Sequence, residues 1–182
     1  MKGVVFTEFL EFVAAGQGED MVDDIIADSE LSNGGAYTSV GTYDHREMVR
    51  LCAALSRRAG MSLPDVLLAF GSHLSARFAI LFPEFFARSA TLFDLLASIE
   101  PFIHVEVRKL YPDAQLPRFT LIERQPASMV LDYASERHLS PLAKGLILGT
   151  ARHYGVAARV SDEPIETPGG PATRFTVALE RV

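Results

Sequence analysis

Pro117-Arg118-Phe119-Thr120-Leu121-Ile122-Glu123-Arg124-Gln125-Pro126-Ala127-Ser128-Met129-Val130-Leu131-Asp132-Tyr133 is the stretch where the chain changes period. Two short runs rich in β-branched and aromatic residues, 119–123 and 129–133, flank Gln125-Pro126-Ala127-Ser128 and read as a hairpin. Downstream, a helix is expected over about 141–154, apolar at Leu142, Leu146 and Ile147. Two further strands, about 156–165 and 173–179, are joined through Pro168-Gly169-Gly170-Pro171. Phe175, Val177 and Leu179 alternate as a half-buried strand does. Two hairpins around one helix imply a four-stranded antiparallel sheet.

Upstream the period is helical. Val4, Val5, Phe9, Phe12 and Val13 mark a first helix that Gly16 and Gly18 break, and a second covers about 19–28. Asp44 is a cap for a helix running to Arg58 with Met48, Leu51, Cys52 and Leu55 inside, ended by Gly60. Ser62 and Pro64 open the next helix, which Pro83 interrupts near Leu81. A helix over about 89–99 follows. Pro101 then suits the first turn of another, with Ile103, Val107 and Leu110 on one face, ended by Pro112. The fold class is α+β, a mainly helical N-terminal part packed on a C-terminal part that carries the sheet.

Composition narrows the function classes. Apolar residues at 48% over 182 residues provide a core for one domain. A net charge of −6 argues against a nucleic-acid surface. Cys52 is the only cysteine, so neither an internal disulfide nor a cysteine-based zinc site is available. The start lacks the apolar run of a signal peptide, and no stretch approaches the length of a membrane span; a cytoplasmic protein is expected.

Among five histidines, none has the spacing of a non-haem metal site. His45, His138 and His153 read as capping or solvated residues, and His73 as a boundary residue in mid-helix. His104 borders an apolar helix face, which by itself favours a buried, hydrogen-bonded histidine but also suits a haem ligand; spacing alone does not choose. Tyr133, Ser135 and Arg137 alternate on what reads as an extended segment, so their side chains would share a face. Two hydroxyls and a guanidinium fork suit a carboxylate or phosphate, but a polar strand edge would look the same. No Gly-x-Ser-x-Gly elbow supports serine catalysis.

Taken in order, these pieces resemble the H-NOX (haem-nitric oxide/oxygen-binding) family, which includes stand-alone bacterial sensors and the haem domain of soluble guanylate cyclase. The resemblance rests on Met1-Lys2-Gly3-Val4-Val5-Phe6 and on Gly71 through Phe82-Pro83-Glu84-Phe85-Phe86. It continues through His104-Val105-Glu106-Val107-Arg108-Lys109-Leu110-Tyr111-Pro112, Leu116-Pro117-Arg118-Phe119, Tyr133-Ala134-Ser135-Glu136-Arg137 and Gly145-Leu146-Ile147-Leu148-Gly149. It covers essentially the whole chain.

The resemblance implies a single haem-binding domain over 1–182, with a helical subdomain over about 1–62, a haem-bearing part over about 63–182, and haem b between the helical part and the sheet-bearing part. It implies that His104 supplies the proximal nitrogen to iron, that Tyr133, Ser135 and Arg137 hold the propionates, and that Pro117 presses on the porphyrin. Val5, Phe9, Leu74, Phe78, Leu142 and Leu146 would line the distal side. Family members that bind oxygen stably carry a tyrosine where this chain has Leu142, so the resemblance implies binding of nitric oxide and carbon monoxide with oxygen excluded. A gas sensor, not an enzyme, is expected: NO would break the Fe–His104 bond, and a partner, a histidine kinase or a cyclic-di-GMP enzyme, would read the change. A haem enzyme would need a distal acid or base, which the implied pocket lacks. A haem-free adaptor would leave a large apolar cavity without a purpose.

Overall fold

The structure, a computed structural model, describes residues 1–180. Helices α1 (Gly3–Gln17), α2 (Glu19–Ala27), α3 (His45–Ala59) and α4 (Leu63–Leu81) come first. The short α5 (Pro83–Ala87) and α6 (Leu92–Ser98) follow, then a π-helical turn (Ile99–Ile103) that leads directly into α7 (His104–Leu110). Strands β1 (Arg118–Arg124) and β2 (Ser128–Ala134), helix α8 (Ser140–His153), and strands β3 (Ala158–Thr167) and β4 (Gly170–Leu179) complete the described chain. The sheet is antiparallel throughout, in the order β1-β2-β4-β3.

The punctuation works as the residue types dictate. The Asp44 carboxylate accepts from the Arg46 amide at 2.9 Å and the Ser62 hydroxyl from the Asp65 amide at 3.2 Å, each taking an orphan donor of its helix. Gly60 closes α3 at φ +66°, in the left-handed region open to glycine.

Three expectations need correction. The helix expected from Ser89 starts at Leu92, because the Thr91 hydroxyl caps it by accepting from Asp94. The second hairpin is tighter than expected: Thr167 pairs with Gly170, and the strands extend to meet a two-residue turn. Pro101 does not open a helix. It sits inside the π turn, where the His104 amide reaches back five residues to the Ile99 carbonyl. A proline without an N–H, whose ring crowds the preceding turn, is accommodated by that wider winding.

Two cores result. Phe6, Phe9, Val13, Ile25, Met48, Leu51, Val66 and Phe70 fill the one between α1, α2, α3 and α4. Phe93, Leu96, Met129, Leu131, Ile147, Phe175 and Val177 fill the other, between α6, α8 and the sheet. On β2, Met129, Leu131 and Tyr133 are buried in strict alternation, which fixes the face it turns inward.

Candidate functional site

A cavity of about 490 Å³ lies between the two cores. Its size falls within the range of cofactor pockets. Helices α4 and α8 form much of its first wall, and they cross closely because glycines meet there. A methyl group on Gly71 would run into the Leu142 carbonyl oxygen, and one on Gly145 into that of Leu68. This crossing places Leu74 and Phe78 beside Leu142 and Leu146, with Val5 of α1 joining them along the cavity. Two hydroxyls share the wall, and both are committed. The buried Thr150 donates to the Leu146 carbonyl at 2.8 Å, which leaves the buried Ser75 to donate to Thr150 at 3.0 Å.

Phe9, expected on this wall, does not reach it. It is fully buried one layer back, edge-on to Phe70 at 5.0 Å between ring centroids. The reason is position along the helix: Val5 reaches the cavity from the first turn of α1, while Phe9, one turn further on and on much the same face, meets Phe70 of α4 in the N-terminal core.

The opposite wall is polar where the first is not. The π turn swings His104 inward, so that the residue is 8% exposed. Its Nδ1 lies 3.0 Å from Glu100 Oε2, and its ring tilts against Phe119. The same Glu100 oxygen accepts the Phe119 amide at 3.2 Å, and Oε1 accepts from Arg108 at 3.3 Å. Burial pushes the His104 pKa down, against the upward pull of Glu100, so the imidazole is held neutral. Burial pushes the Glu100 carboxyl up, but the Phe119 amide, His104 and Arg108 outweigh it and hold it below its ordinary value. Nε2 of His104 has no protein hydrogen-bond partner among the described residues, and the residue lines the cavity.

Tyr133, Ser135, Arg137 and Pro117 line the same cavity. The strand does not extend through all three positions as expected. It ends at Ala134, because the Ser135 hydroxyl accepts the Arg137 amide at 3.2 Å and starts a turn. The three side chains still converge, by a turn and not by alternation. Arg137 is half-buried and donates to the Gln115 carbonyl at 2.6 Å, yet makes no ion pair with a carboxylate among the described residues. Burial pushes its pKa down, and the nearby Tyr133 and Glu136 offset only part of that. Of the residues expected at the site, all but Phe9 meet here.

Sequence reasoning missed Glu100, Ser75 and Thr150. Glu100 had a usable signal, a carboxylate one helical turn before the histidine. Ser75 and Thr150 had none, since their pairing depends on the α4–α8 crossing. The remaining histidines stand apart: His45 opens α3, His153 closes α8, and His138 sits at φ +51° in the turn after Arg137. His73 is the surprise, with an Nε2 that is buried without a hydrogen-bond partner, 4.0 Å from Glu8.

The family model for haem-NO-binding domains matches residues 2–162. The chain belongs to the H-NOX family. Its fold superposes on a crystal structure of a K. algicida H-NOX protein in the Fe(II) unliganded state, with a TM-score of 0.91 and 38% identity, covering 100% of this chain and 98% of that one. A single-site mutant of the same protein gives 0.91 and 39%, covering 100% and 97%. An S. oneidensis H-NOX protein in the Fe(II)NO ligation state gives 0.90 and 25%, covering 100% of both chains. No curated protein matches.

H-NOX domains are haem-based gas-sensor domains, not catalysts, and haem b is their usual cofactor. The residues present fit that group. The cavity is apolar over most of its lining and offers one neutral imidazole with a bare nitrogen. Among the described residues no cluster of three or more His, Cys, Asp or Glu would hold a naked metal ion. A lone imidazole suits a metal that brings its own equatorial nitrogens. Arg137, without a carboxylate partner among the described residues, suits one that brings carboxylates as well. No helix among the described residues is long and apolar enough to cross a membrane.

Proposed function

We propose that this H-NOX domain is a sensor of nitric oxide that also binds carbon monoxide and excludes oxygen, with His104 as the iron ligand. The committed hydroxyls of the apolar wall carry this reading. Haem iron supplies the gas-binding site and a bond to the protein that NO weakens. Oxygen, which gains partial negative charge when bound, needs a hydrogen-bond donor that CO and NO do not. Leu142 offers none, Ser75 donates to Thr150, and Thr150 donates to the Leu146 carbonyl. The S. oneidensis relatives, solved in Fe(II)NO and Fe(II)CO states, support the choice of gases.

The remaining residues have distinct tasks. Arg137, with Tyr133 and Ser135, anchors the propionates, and Pro117 presses on the macrocycle. His104 opens α7, so its attachment or release acts on that helix and on the π turn joined to it. Val5 links the same cavity to α1, so the helical part, about 1–62, would shift against the haem-bearing part, about 63–182. A partner protein, a histidine kinase or a cyclic-di-GMP enzyme, reads that shift if the two states differ in affinity for it. The test is the absorption spectrum of the reduced protein in air and then under NO. A Soret band unmoved by air and shifted by NO is expected; a stable shift in air means the apolar wall holds a free donor and overturns the selectivity.

A further inference from the structure

Glu100 lies outside every expectation drawn from the sequence, yet it makes the only protein hydrogen bond to the His104 ring among the described residues. Its carboxylate gathers three donors: His104 Nδ1 at 3.0 Å, the Phe119 amide at 3.2 Å and Arg108 at 3.3 Å. An ionised carboxylate only accepts, so the hydrogen of a neutral His104 must sit on Nδ1. That leaves the Nε2 lone pair as the free position of a ring that lines the cavity. The π turn makes this arrangement possible, because Glu100 sits in it and His104 is the next residue after its end. The backbone bond from β1 then holds the carboxylate in place.

We propose that Glu100 is the positioning residue that fixes the His104 tautomer and sets the strength of the bond between His104 and iron. The inference rests on the reading of His104 as the ligand. An anionic acceptor on Nδ1–H pushes electron density towards Nε2 and makes it a stronger donor to the metal. The bond that NO must weaken is therefore tuned by a carboxylate pinned to the sheet edge. Release of His104 would leave the ring still held by Glu100, so that histidine, π turn and β1 stay linked through the change.

The experiment compares wild type with Glu100→Gln and Glu100→Ala, as haem-loaded and as haem-free full chains. Gln keeps the shape and an acceptor for the Phe119 amide, and removes the charge. With an unchanged melting temperature, Glu100→Gln should lower the Fe–His stretching frequency of the reduced protein, raise its reduction potential, and speed haem loss about tenfold. In the haem-free protein, wild type should show a hydrogen-bonded His104 Nδ1–H signal in the imidazole NMR spectrum that Glu100→Ala removes. A Glu100→Gln variant whose stretching frequency and potential match wild type would reduce Glu100 to a structural strut and overturn the proposal. A reduced wild type with no Fe–His stretch at all would overturn the ligand reading instead, and the haem-free signal would still decide the tautomer by itself.

Discussion

The two walls of the cavity are built on different principles. The wall from α1, α4 and α8 presents Val5, Leu74, Phe78, Leu142 and Leu146, and it ties up its hydroxyls in a buried chain from Ser75 through Thr150 to the Leu146 carbonyl. The wall from the π turn, α7, β1 and the turn after β2 presents a neutral imidazole, two hydroxyls and a guanidinium that has no ion pair among the described residues. One withholds donors and the other concentrates them. In the proposed function, gas choice and cofactor anchorage are separate properties of separate surfaces, and each should be breakable without the other.

Arg137→Ala tests the anchoring wall and should have the largest effect. A hydrogen bond to a charged group is worth about 1.5–3 kcal/mol, so haem loss should accelerate roughly tenfold to a hundredfold. The NO and air responses of the fraction that stays loaded should not change. Altered oxygen behaviour in this variant would break the division between the walls. Leu142→Tyr tests the other wall by adding a hydroxyl where none is free. Oxygen affinity should rise about tenfold, the equivalent of about 1.4 kcal/mol, with haem retention unchanged. Failure to gain any oxygen response would mean that something other than a missing donor excludes the gas. The smallest effect is expected of Ser75→Ala. It removes one donor and leaves Thr150 bonded to the Leu146 carbonyl, so thermal or denaturant unfolding should register a loss of about 1 kcal/mol. Oxygen should remain excluded, because the lost hydroxyl was never available to a ligand.

Legibility in the sequence follows the same division. Local chemistry was readable: the caps at Asp44 and Ser62, the stop at Gly60, the alternation in β2 and the hairpins all follow from neighbouring residues. The apolar residues that line the cavity were mostly readable too, through the family resemblance, except Phe9, which lies one turn too far along α1 and meets Phe70. The rest depended on backbone that departs from regular winding. Pro101 turned a predicted helix start into a π turn, and that turn brings Glu100 to His104. Ser135 ended a strand early and brought Arg137 to the cavity by a turn. The Ser75–Thr150 pair spans 75 residues of sequence and exists only because glycines let α4 and α8 touch.

Everything in the proposed function depends on one bond, from His104 to a haem iron in this cavity. Its most direct test is His104→Gly, purified with and without imidazole in the buffer and read by absorption and resonance Raman spectroscopy. The variant should lose the Fe–His stretch and most of its haem, and free imidazole should restore both. A variant that keeps the wild-type Soret band and stretch without imidazole would place the iron ligand elsewhere and contradict the assignment of His104.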